Sequence, residues 1–299
     1  MSWQNTALTL LLRWRVKRRA DRAIDVAQAR IRARRMAMKA RLPAGWRIAA
    51  ATEPLPGEWI ERTGAMAPGG RTLLYLHGGG YYFCSPETHR SITTRLAVAS
   101  DSRCYAPAYR LAPEHRFPAA VEDAVAAYRG LRAAGTPARR ITVAGDSAGG
   151  GLALALLLSL RDAGDELPAG AVLFSPWTDL AGTGRSLRTN DASDAMFRGH
   201  RVAEAAQIYL GDRRATDPLA SPLFAELTGL PPLFIQASDS EVLLDDAARL
   251  AEKAEKAGVT VAFRAWHGLP HVWQFFAPFL PEGRAALAEA AGFIRRVVP

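Results

Sequence analysis

The chain has 299 residues, of which 49% are hydrophobic and 22% are charged. This length suits one large α/β domain or two small ones, and the apolar content excludes a disordered chain, a collagen-like rod and a coiled coil. Two cysteines exclude a disulfide framework, and no apolar run approaches the ~20 residues of a membrane span.

The net charge of +9 is concentrated at the N-terminus. Residues 1–50 contain 13 lysines and arginines and only two acids, Asp21 and Asp25, whereas the rest of the chain is close to neutral. A near-neutral body argues against nucleic acid as the main partner. The apolar stretch 7–12 is too short for a secretory signal and precedes its arginines. We therefore expect a cytoplasmic protein that binds no nucleic acid.

The first 47 or so residues read as one or two helices, because Ala, Arg, Met and Leu dominate them. Ile24, Ala27, Ile31 and Met38 recur at roughly helical spacing, with arginines between them. We interpret residues 1–55 as a helical cap segment with this stripe buried and the arginines in water. Contact with an anionic membrane surface is the alternative for the same basic face.

From residue 72 onward, short β-rich runs alternate with helical stretches. This alternation predicts an α/β fold over residues 56–299, with a mostly parallel central sheet flanked by helices. An irregular insertion at about 178–230, with one helix candidate at 200–210, would complete the cap. The predicted strands are 72–76, 103–108, 141–145, 171–174, 233–237 and 259–265, and the predicted helices are 119–134, 148–163, 242–257 and 284–297.

The most informative motif is Gly-Asp-Ser-Ala-Gly at residues 145–149, which matches G-x-S-x-G. A β-run precedes it and a helical run follows it, which is the context of a nucleophile elbow. Such a turn needs small neighbours because the serine backbone is strained and adjacent Cβ atoms would clash. The motif predicts Ser147 as a nucleophile, with a helix N-terminus behind it to favour negative charge.

A second motif, His77-Gly78-Gly79-Gly80, directly follows the β-run 72–76. Consecutive glycines let backbone N–H groups point into a site without obstruction. The N–H groups of Gly79 and Gly80, together with that of Ala148 after the nucleophile, are expected to form an oxyanion hole. A phosphate-binding turn is the alternative, but the residues that a P-loop requires do not follow.

A serine nucleophile needs a base, and the base needs an orienting carboxylate. In the chain order Ser, acid, His of α/β-hydrolases, only His267 and His271 are late enough to be the base. The loop after strand 233–237 supplies the acids. Its candidates are Asp239, Glu241, Asp245 and Asp246, of which the last two fall inside a predicted helix.

Taken together, the motifs at 77–80 and 145–150 resemble those of the bacterial hormone-sensitive-lipase family of carboxylesterases. Further segments agree with this family: residues 109–114 and 117–120 lie between the two motifs, and Ser-Pro-Trp-Thr-Asp-Leu at 175–180 follows the elbow helix. The resemblance extends from about residue 72 to the C-terminus. It implies an α/β-hydrolase fold with a helical cap that varies among members.

The resemblance also distinguishes the candidate acids and bases. The family's last motif, Gly-Met-x-His followed by an aromatic residue, matches residues 268–271, which makes His271 the base. Its usual acid motif, Asp-Pro-Leu-x-Asp, aligns with residues 241–245 and places Glu241 where most members have aspartate. Glutamate can serve as the orienting acid. Asp239 remains the second candidate.

Other side chains receive mainly structural interpretations. Tyr81 and Tyr82 are candidates for lining the substrate pocket, with core packing the alternative. Arg110 and Glu114 are expected to form a buried pair, and Asp146 is expected to organise a loop by accepting hydrogen bonds. No cluster in the sequence resembles a metal site, and the chemistry requires no cofactor.

The sequence therefore predicts a serine carboxylesterase that hydrolyses short- to medium-chain acyl esters through an acyl-enzyme. A lactone or amide hydrolase with the same triad is the alternative. A ligand receptor on this fold is disfavoured because receptor relatives typically lose a triad member, whereas Ser147, an acid and His271 are present. The expected partner is a small ester, and a homodimer is an open expectation.

Overall fold

A computed structural model describes residues 1–36, 41–64 and 70–299. Its centre is an eight-stranded sheet with the strand order β1-β2-β4-β3-β5-β6-β7-β8. Strands β3 to β8 pair in parallel, whereas β2 pairs antiparallel with both β1 and β4. The strands are β1 (Trp46–Ala51), β2 (Gly57–Arg62), β3 (Arg71–Leu76), β4 (Ser102–Pro107), β5 (Ile141–Asp146), β6 (Gly170–Phe174), β7 (Leu233–Ser238) and β8 (Val261–Trp266).

Helices cover both faces of the sheet. In β3, Leu74 and Leu76 pack into one apolar cluster, and Leu73 and Tyr75 pack into the cluster on the opposite face. Strands buried on both faces are typical of parallel sheets. The helices are α1 (Trp3–Arg15), α2 (Val26–Met36), α3 (Arg90–Ser100), α4 (Ala119–Ala133), α5 (Ala148–Asp162), α6 (Ser186–Thr189), α7 (Val202–Leu210), α8 (Leu244–Lys256) and α9 (Pro281–Val297).

The predicted alternation from residue 72 onward is confirmed. Each of the six predicted strands and each of the four predicted helices corresponds to an observed element, with ends that differ by at most three residues. The helix predicted at 200–210 is α7, preceded by a 3-10 turn, Gly199–Arg201. Within the described ranges, no helix is long and apolar enough to cross a membrane.

The N-terminal prediction needs two corrections. Strand β1 belongs to the main sheet, so the helical part ends before Trp46 and not at residue 55. The predicted stripe is also wrong in register: Ala27 and Ile31 are exposed, and the inward side of α2 carries Ala29 and Arg30. Ile24 packs against the core as expected. Met38 lies outside the described residues.

Candidate active site

Ser147 occupies the turn between β5 and α5. Its backbone has φ 53° and ψ −124°, a left-handed conformation that costs a non-glycine residue about 1–3 kcal/mol. The end of β6 holds the turn, because the Ser147 N–H donates to the Phe174 carbonyl at 2.8 Å. The Ser147 carbonyl accepts from the N–H of Trp177 at 2.9 Å. The strand–turn–helix context predicted for the motif is therefore present.

Two glycines make this turn sterically feasible. A Cβ on Gly149 would lie 2.1 Å from the Leu76 carbonyl oxygen, and one on Gly145 would lie 2.2 Å from the Gly149 oxygen. Both distances are far shorter than any real Cβ contact. The glycines of G-x-S-x-G are thus required by the close approach of α5 to the ends of β3 and β5.

The loop at residues 77–80 follows β3, the neighbour of β5. Gly79 has φ 108° and Gly80 has φ 58°, conformations that favour glycine. Among the described residues, the N–H groups of Gly79, Gly80 and Ala148 donate no hydrogen bond. All three groups therefore remain available as donors to a ligand oxygen.

A buried polar network supports this loop from beneath. Asp146 Oδ1 accepts from the Tyr75 hydroxyl at 2.7 Å and from the Gly78 N–H at 3.1 Å, and Oδ2 lies 3.2 Å from His89 Nε2. Burial opposes ionisation of Asp146, but His89 and these hydrogen bonds lower its pKa below the ordinary value. The loop-organising role expected for Asp146 is confirmed.

His77 belongs to the same support and not to the proton-transfer machinery. Burial lowers the pKa of His77 to about 3, so its imidazole is neutral at physiological pH. Its Nδ1 lies 2.7 Å from the Gly78 carbonyl, and its own carbonyl accepts from the Tyr109 hydroxyl at 2.6 Å. These bonds hold the glycine loop at the end of β3.

His271 and Glu241 form a buried pair in the loops that follow β8 and β7. His271 Nδ1 lies 2.5 Å from Glu241 Oε2, and Glu241 Oε1 accepts from the Ser238 N–H at 2.8 Å. His271 Nε2 has no hydrogen-bond partner among the described residues. The Val272 N–H donates to Ser175 Oγ at 3.3 Å, so the histidine loop and the serine turn meet at the same end of β6.

Carboxylates outweigh burial at His271. Burial alone would lower the pKa of this imidazole, but the charge and hydrogen bond of Glu241 raise it above its ordinary value of 6.5. Asp194 and Asp146 add to this effect. An imidazole held this way can accept a proton on Nε2 and keep the resulting charge stabilised.

The second candidate acid pairs with the second candidate base. Asp239 Oδ2 lies 2.6 Å from His267 Nδ1, and the His267 side chain is 80% exposed. The two acids and the two histidines therefore sort into separate pairs, one buried and one at the surface. The buried pair, Glu241 with His271, includes the histidine whose loop contacts Ser175, next to the strand end that holds the Ser147 turn.

Aromatic side chains pack next to the first turn of α5. Tyr81 is buried and stacks on Tyr209, with ring centroids 3.8 Å apart and planes within 6°. A Cβ on Gly151 would lie 3.0 Å from the Tyr81 hydroxyl, which places this stack close to Ser147. Tyr82 is also buried. The sequence carried no signal for Tyr209, because it lies in the insertion.

The expected pair between Arg110 and Glu114 does not form. Arg110 binds Asp123 and Glu122, both on α4, whereas Glu114 receives two hydrogen bonds from Arg30 of α2, at 2.7 and 2.6 Å. The guanidinium of Arg30 also donates to the carbonyls of Tyr82 and Ala112, each at 2.9 Å. The contacts of Arg30 join the N-terminal segment to the loop after the glycines, and they could not be predicted because the partners are far apart in the sequence.

The described residues contain no group of three or more His, Cys, Asp or Glu side chains placed to hold a metal ion. The site is instead assembled from a serine turn, a histidine–carboxylate pair and unpaired backbone donors. This arrangement provides a nucleophile, a base and donors for an oxyanion, which together suit acyl transfer.

Known proteins share both the fold and the sequence. A family profile described as the α/β-hydrolase fold matches residues 73–275. An acetyl-hydrolase of Streptomyces hygroscopicus is 51% identical over 238 residues, covering 80% of this chain and 79% of that protein. The carboxylesterase/phospholipase LipF of Mycobacterium tuberculosis is 40% identical over 76% of this chain and 62% of its own length.

A solved structure gives the same result. The crystal structure of an esterase from the bacterial hormone-sensitive lipase family matches with a TM-score of 0.91 and 41% identity, covering 100% of this chain and 99% of that one. The fold and these relatives define a hydrolase of the carboxylesterase class. Within that class, the chain belongs to the bacterial hormone-sensitive-lipase family of esterases.

The buried pairing generates a test of the acid. Glu241→Gln is expected to lower kcat about 10³- to 10⁴-fold, because His271 loses the carboxylate that fixes its tautomer and stabilises its charged form. Loss of that charge also lowers the pKa of His271, so the acidic limb of the kcat/KM profile should move to lower pH. Kinetics from pH 5 to 9 with a soluble ester measure both effects.

The matched control is Asp239→Asn, which removes the carboxylate of the surface pair and should leave kcat nearly unchanged. If Asp239→Asn is the more damaging substitution, Glu241 is not the orienting acid.

Proposed function

We propose that this protein is a serine carboxylesterase that cleaves short- to medium-chain acyl esters through an acyl-enzyme, with Ser147, His271 and Glu241 as its triad. The observation that carries the proposal is the buried pair of His271 and Glu241. His271 Nε2 has no partner among the described residues, and the loop that carries His271 binds the same end of β6 as the strained Ser147 turn.

The reaction follows from these groups. Ser147 Oγ attacks the ester carbonyl carbon as His271 Nε2 takes the hydroxyl proton, and the Glu241 carboxylate stabilises the imidazolium. The N–H groups of Gly79, Gly80 and Ala148 donate to the oxyanion of the tetrahedral intermediate. His271 then gives its proton to the leaving alcohol. In the second half, His271 activates a water molecule that hydrolyses the acyl-enzyme and releases the acid and the free serine.

A small acyl group fits the surroundings of Ser147. The stacked pair Tyr81 and Tyr209 is buried beside the first turn of α5 and forms an aromatic wall there. We assign this wall, with Tyr82, to the acyl side of the pocket. The name of the Streptomyces hygroscopicus relative, an acetyl-hydrolase, supports a preference at the short end.

The nucleophile is tested by substitution and covalent labelling. Ser147→Ala is expected to reduce ester turnover below about 1% of wild type, because loss of a triad serine removes the covalent route. A fluorophosphonate should label the wild-type protein at Ser147, located by peptide mass spectrometry, and should not label the variant. Ser193→Ala, a surface serine of the insertion, is the control and should label normally. Labelling of Ser147→Ala at wild-type level would disprove the assignment.

Acyl selectivity tests the aromatic wall. In a series of p-nitrophenyl esters, kcat/KM should be highest for acyl chains of about two to eight carbons and should fall for longer ones. Tyr209→Ala opens space beside Tyr81, so the ratio of kcat/KM for long over short chains should rise. A lactone and an anilide in the same panel test the alternative hydrolase activities, and faster turnover of either would displace the ester assignment.

We also propose that the N-terminal segment, helices α1 and α2, is a cap whose outer surface contacts anionic lipid. Helix α1 buries Leu8 and Leu12 against the body, yet its other side leaves large apolar residues in solvent. A helix with exposed tryptophans and a basic flank is typical of proteins that lie on membrane surfaces. The exposed apolar residues are Met1, Trp3, Leu10, Leu11 and Trp14, and the exposed arginines that follow are Arg15, Arg18, Arg19 and Arg22.

Charge favours a lipid surface over a second copy of this chain as the occupant. The segment has 13 lysines and arginines in residues 1–50 against two aspartates, so two such faces repel each other, whereas anionic headgroups attract both. The name of the Mycobacterium tuberculosis relative, a carboxylesterase/phospholipase, supports contact of this chain with lipid.

Vesicle binding tests the lipid contact. The full chain should co-sediment with phosphatidylcholine vesicles that contain phosphatidylglycerol, less so at high salt, and weakly with phosphatidylcholine alone. The double substitution of Trp3 and Leu11 by Gln should abolish binding and leave hydrolysis of a soluble ester unchanged. Phe263→Gln, an exposed aromatic of β8, is the control. If the double variant instead converts a dimer to a monomer in ultracentrifugation and wild type ignores vesicles, the face is a dimer interface.

A further inference from the structure

Asp194 is a buried carboxylate that the mechanism above does not use. It lies in the insertion between β6 and β7, and the residue is only 1% exposed. Its Oδ1 accepts from the N–H groups of Met196 at 2.7 Å and Phe197 at 2.8 Å, and its Oδ2 accepts from the Val242 N–H at 2.9 Å. All three partners are donors, which suits an ionised carboxylate.

These hydrogen bonds connect Asp194 to a neighbour of His271 and to a neighbour of Glu241. Phe197, whose N–H binds Asp194, places its ring edge-on to the His271 ring at a centroid distance of 5.0 Å. Val242, held by the other oxygen, directly follows Glu241 in the chain. One side chain of the insertion thus braces the aromatic contact of the histidine and the backbone of the acid.

The same part of the insertion also binds the loop that carries Glu241. Asn190 Nδ2 donates to the carbonyl of Glu241 at 3.0 Å and to that of Asp239 at 2.9 Å. The Asp194 N–H donates to the Asn190 carbonyl at 2.9 Å, so the two residues belong to one turn. The insertion therefore holds the Glu241 loop from both its carbonyl side and its N–H side.

Charge gives Asp194 a second effect on His271. The ionisable groups that face His271 are Glu241, Asp194 and Asp146, and each carboxylate raises the pKa of the imidazole against the effect of burial. The cation that faces Asp194 is Lys17, from the turn after α1. Burial raises the pKa of Asp194, while its three N–H donors and His271 oppose that rise. In a buried site, a second carboxylate stabilises the imidazolium more than it would in water.

We propose that Asp194 is a positioning residue for the catalytic histidine: its carboxylate fixes Phe197 and the Glu241 loop, and its negative charge supplements that of Glu241 on His271. This inference rests on the proposed triad and adds to it a fourth group supplied by the insertion.

Lys17 connects this network to the N-terminal segment. Its ammonium is buried and donates to the carbonyl oxygens of Asp194 at 2.7 Å and Ala192 at 3.5 Å, and also to that of Asp191. Burial lowers the pKa of Lys17, and Asp194 and Asp191 partly restore it. The turn after α1 thus holds the turn that carries Asp194, which in turn contacts the neighbours of His271.

The test is the pH dependence of Asp194→Asn in the full chain. The variant keeps the size of the side chain but loses the charge and one acceptor. The acidic limb of kcat/KM should move to lower pH, because the imidazole loses a carboxylate that raises its pKa. At the plateau, kcat should fall about tenfold with KM little changed. Asp194→Glu, which retains the charge, should restore the limb more fully than it restores kcat.

Asp191→Asn is the matched control. Asp191 lies in the same turn and is partly buried, but its carboxylate accepts from the Gly199 N–H at 2.8 Å and faces Arg198 and Lys17. This variant should keep the wild-type limb. Thermal melting reports the stability of each variant.

The outcomes separate a positioning role from a structural one. The proposal is overturned if Asp194→Asn melts at a lower temperature but keeps the acidic limb of the wild-type kcat/KM profile. It is also overturned if Asp191→Asn shifts that limb by the same amount. If Asp194→Asn does not fold, the same test uses Asp194→Glu and Lys17→Met, with kcat and the acidic limb of the kcat/KM profile as readouts. Wild-type kcat and a wild-type acidic limb in both variants would overturn the proposal. Fluorophosphonate labelling of Ser147 is independent of these results, so the triad can stand when the role of Asp194 falls.

Discussion

The left-handed turn at Ser147 is the constraint on which the rest of the site depends. A serine at φ 53° is strained, and it persists only because β5 and α5 hold it from both sides. The close approach that forbids a Cβ on Gly149 brings the helix against the carbonyl end of β3. The loop that leaves β3 must therefore begin beside the serine, and this loop carries the N–H groups of Gly79 and Gly80. Parallel pairing of β3, β5 and β6 makes the three strand ends one edge.

Two buried histidines at this edge of the sheet show how neighbouring groups determine the pKa of an imidazole. The hydrogen-bond partners of His77 are the Gly78 carbonyl and the Tyr109 hydroxyl, and burial, together with nearby His89, lowers its pKa to about 3. His271 is equally buried, but the carboxylate of Glu241 at 2.5 Å reverses the direction. At a pKa of about 3, the His77 imidazole is a weak base, and its hydrogen bonds support the glycine loop. An imidazole with a raised pKa is a stronger base, as the proposed proton transfer from the Ser147 hydroxyl to the leaving alcohol requires. The same residue type therefore has its pKa lowered at one buried position and raised at another.

The sequence predicts those parts of the fold that have local signals. Strands β3 to β8 are short apolar runs between helical stretches. The family resemblance favoured Glu241 over Asp239 as the acid, and the structure pairs Glu241 with His271. Strand β1 escaped prediction because its residues, Trp-Arg-Ile-Ala-Ala-Ala, have the composition of a helix, and only pairing with β2 makes them a strand. Helix α3 also escaped prediction, because Ile92, Thr93 and Thr94 have low helix propensity. The helix is stabilised by packing against the sheet.

The contacts of the insertion and the N-terminal segment could not be predicted for a different reason. Arg30 and Glu114 are 84 positions apart, and a composition rich in arginine gives no sign of which guanidinium turns inward. Asp194 reads as one more acid in an irregular loop. Its role depends on the folding of Phe197 back onto His271 and on contact with Val242 across the sheet edge. Long-range contacts of this kind leave no periodicity in the sequence.

Arg30 and Lys17 together explain why a basic segment belongs next to this site. Arg30 holds the Tyr82 carbonyl on the side of the glycine loop, and Lys17 holds the Asp194 carbonyl on the side of the histidine. Both cations bind backbone oxygens, and Arg30 also binds the Glu114 carboxylate. These contacts require long side chains that donate several hydrogen bonds. Most of the remaining arginines of the segment face water. The same composition therefore does two things: two inward cations attach the segment across both sides of the site, and the outward ones make its surface positive.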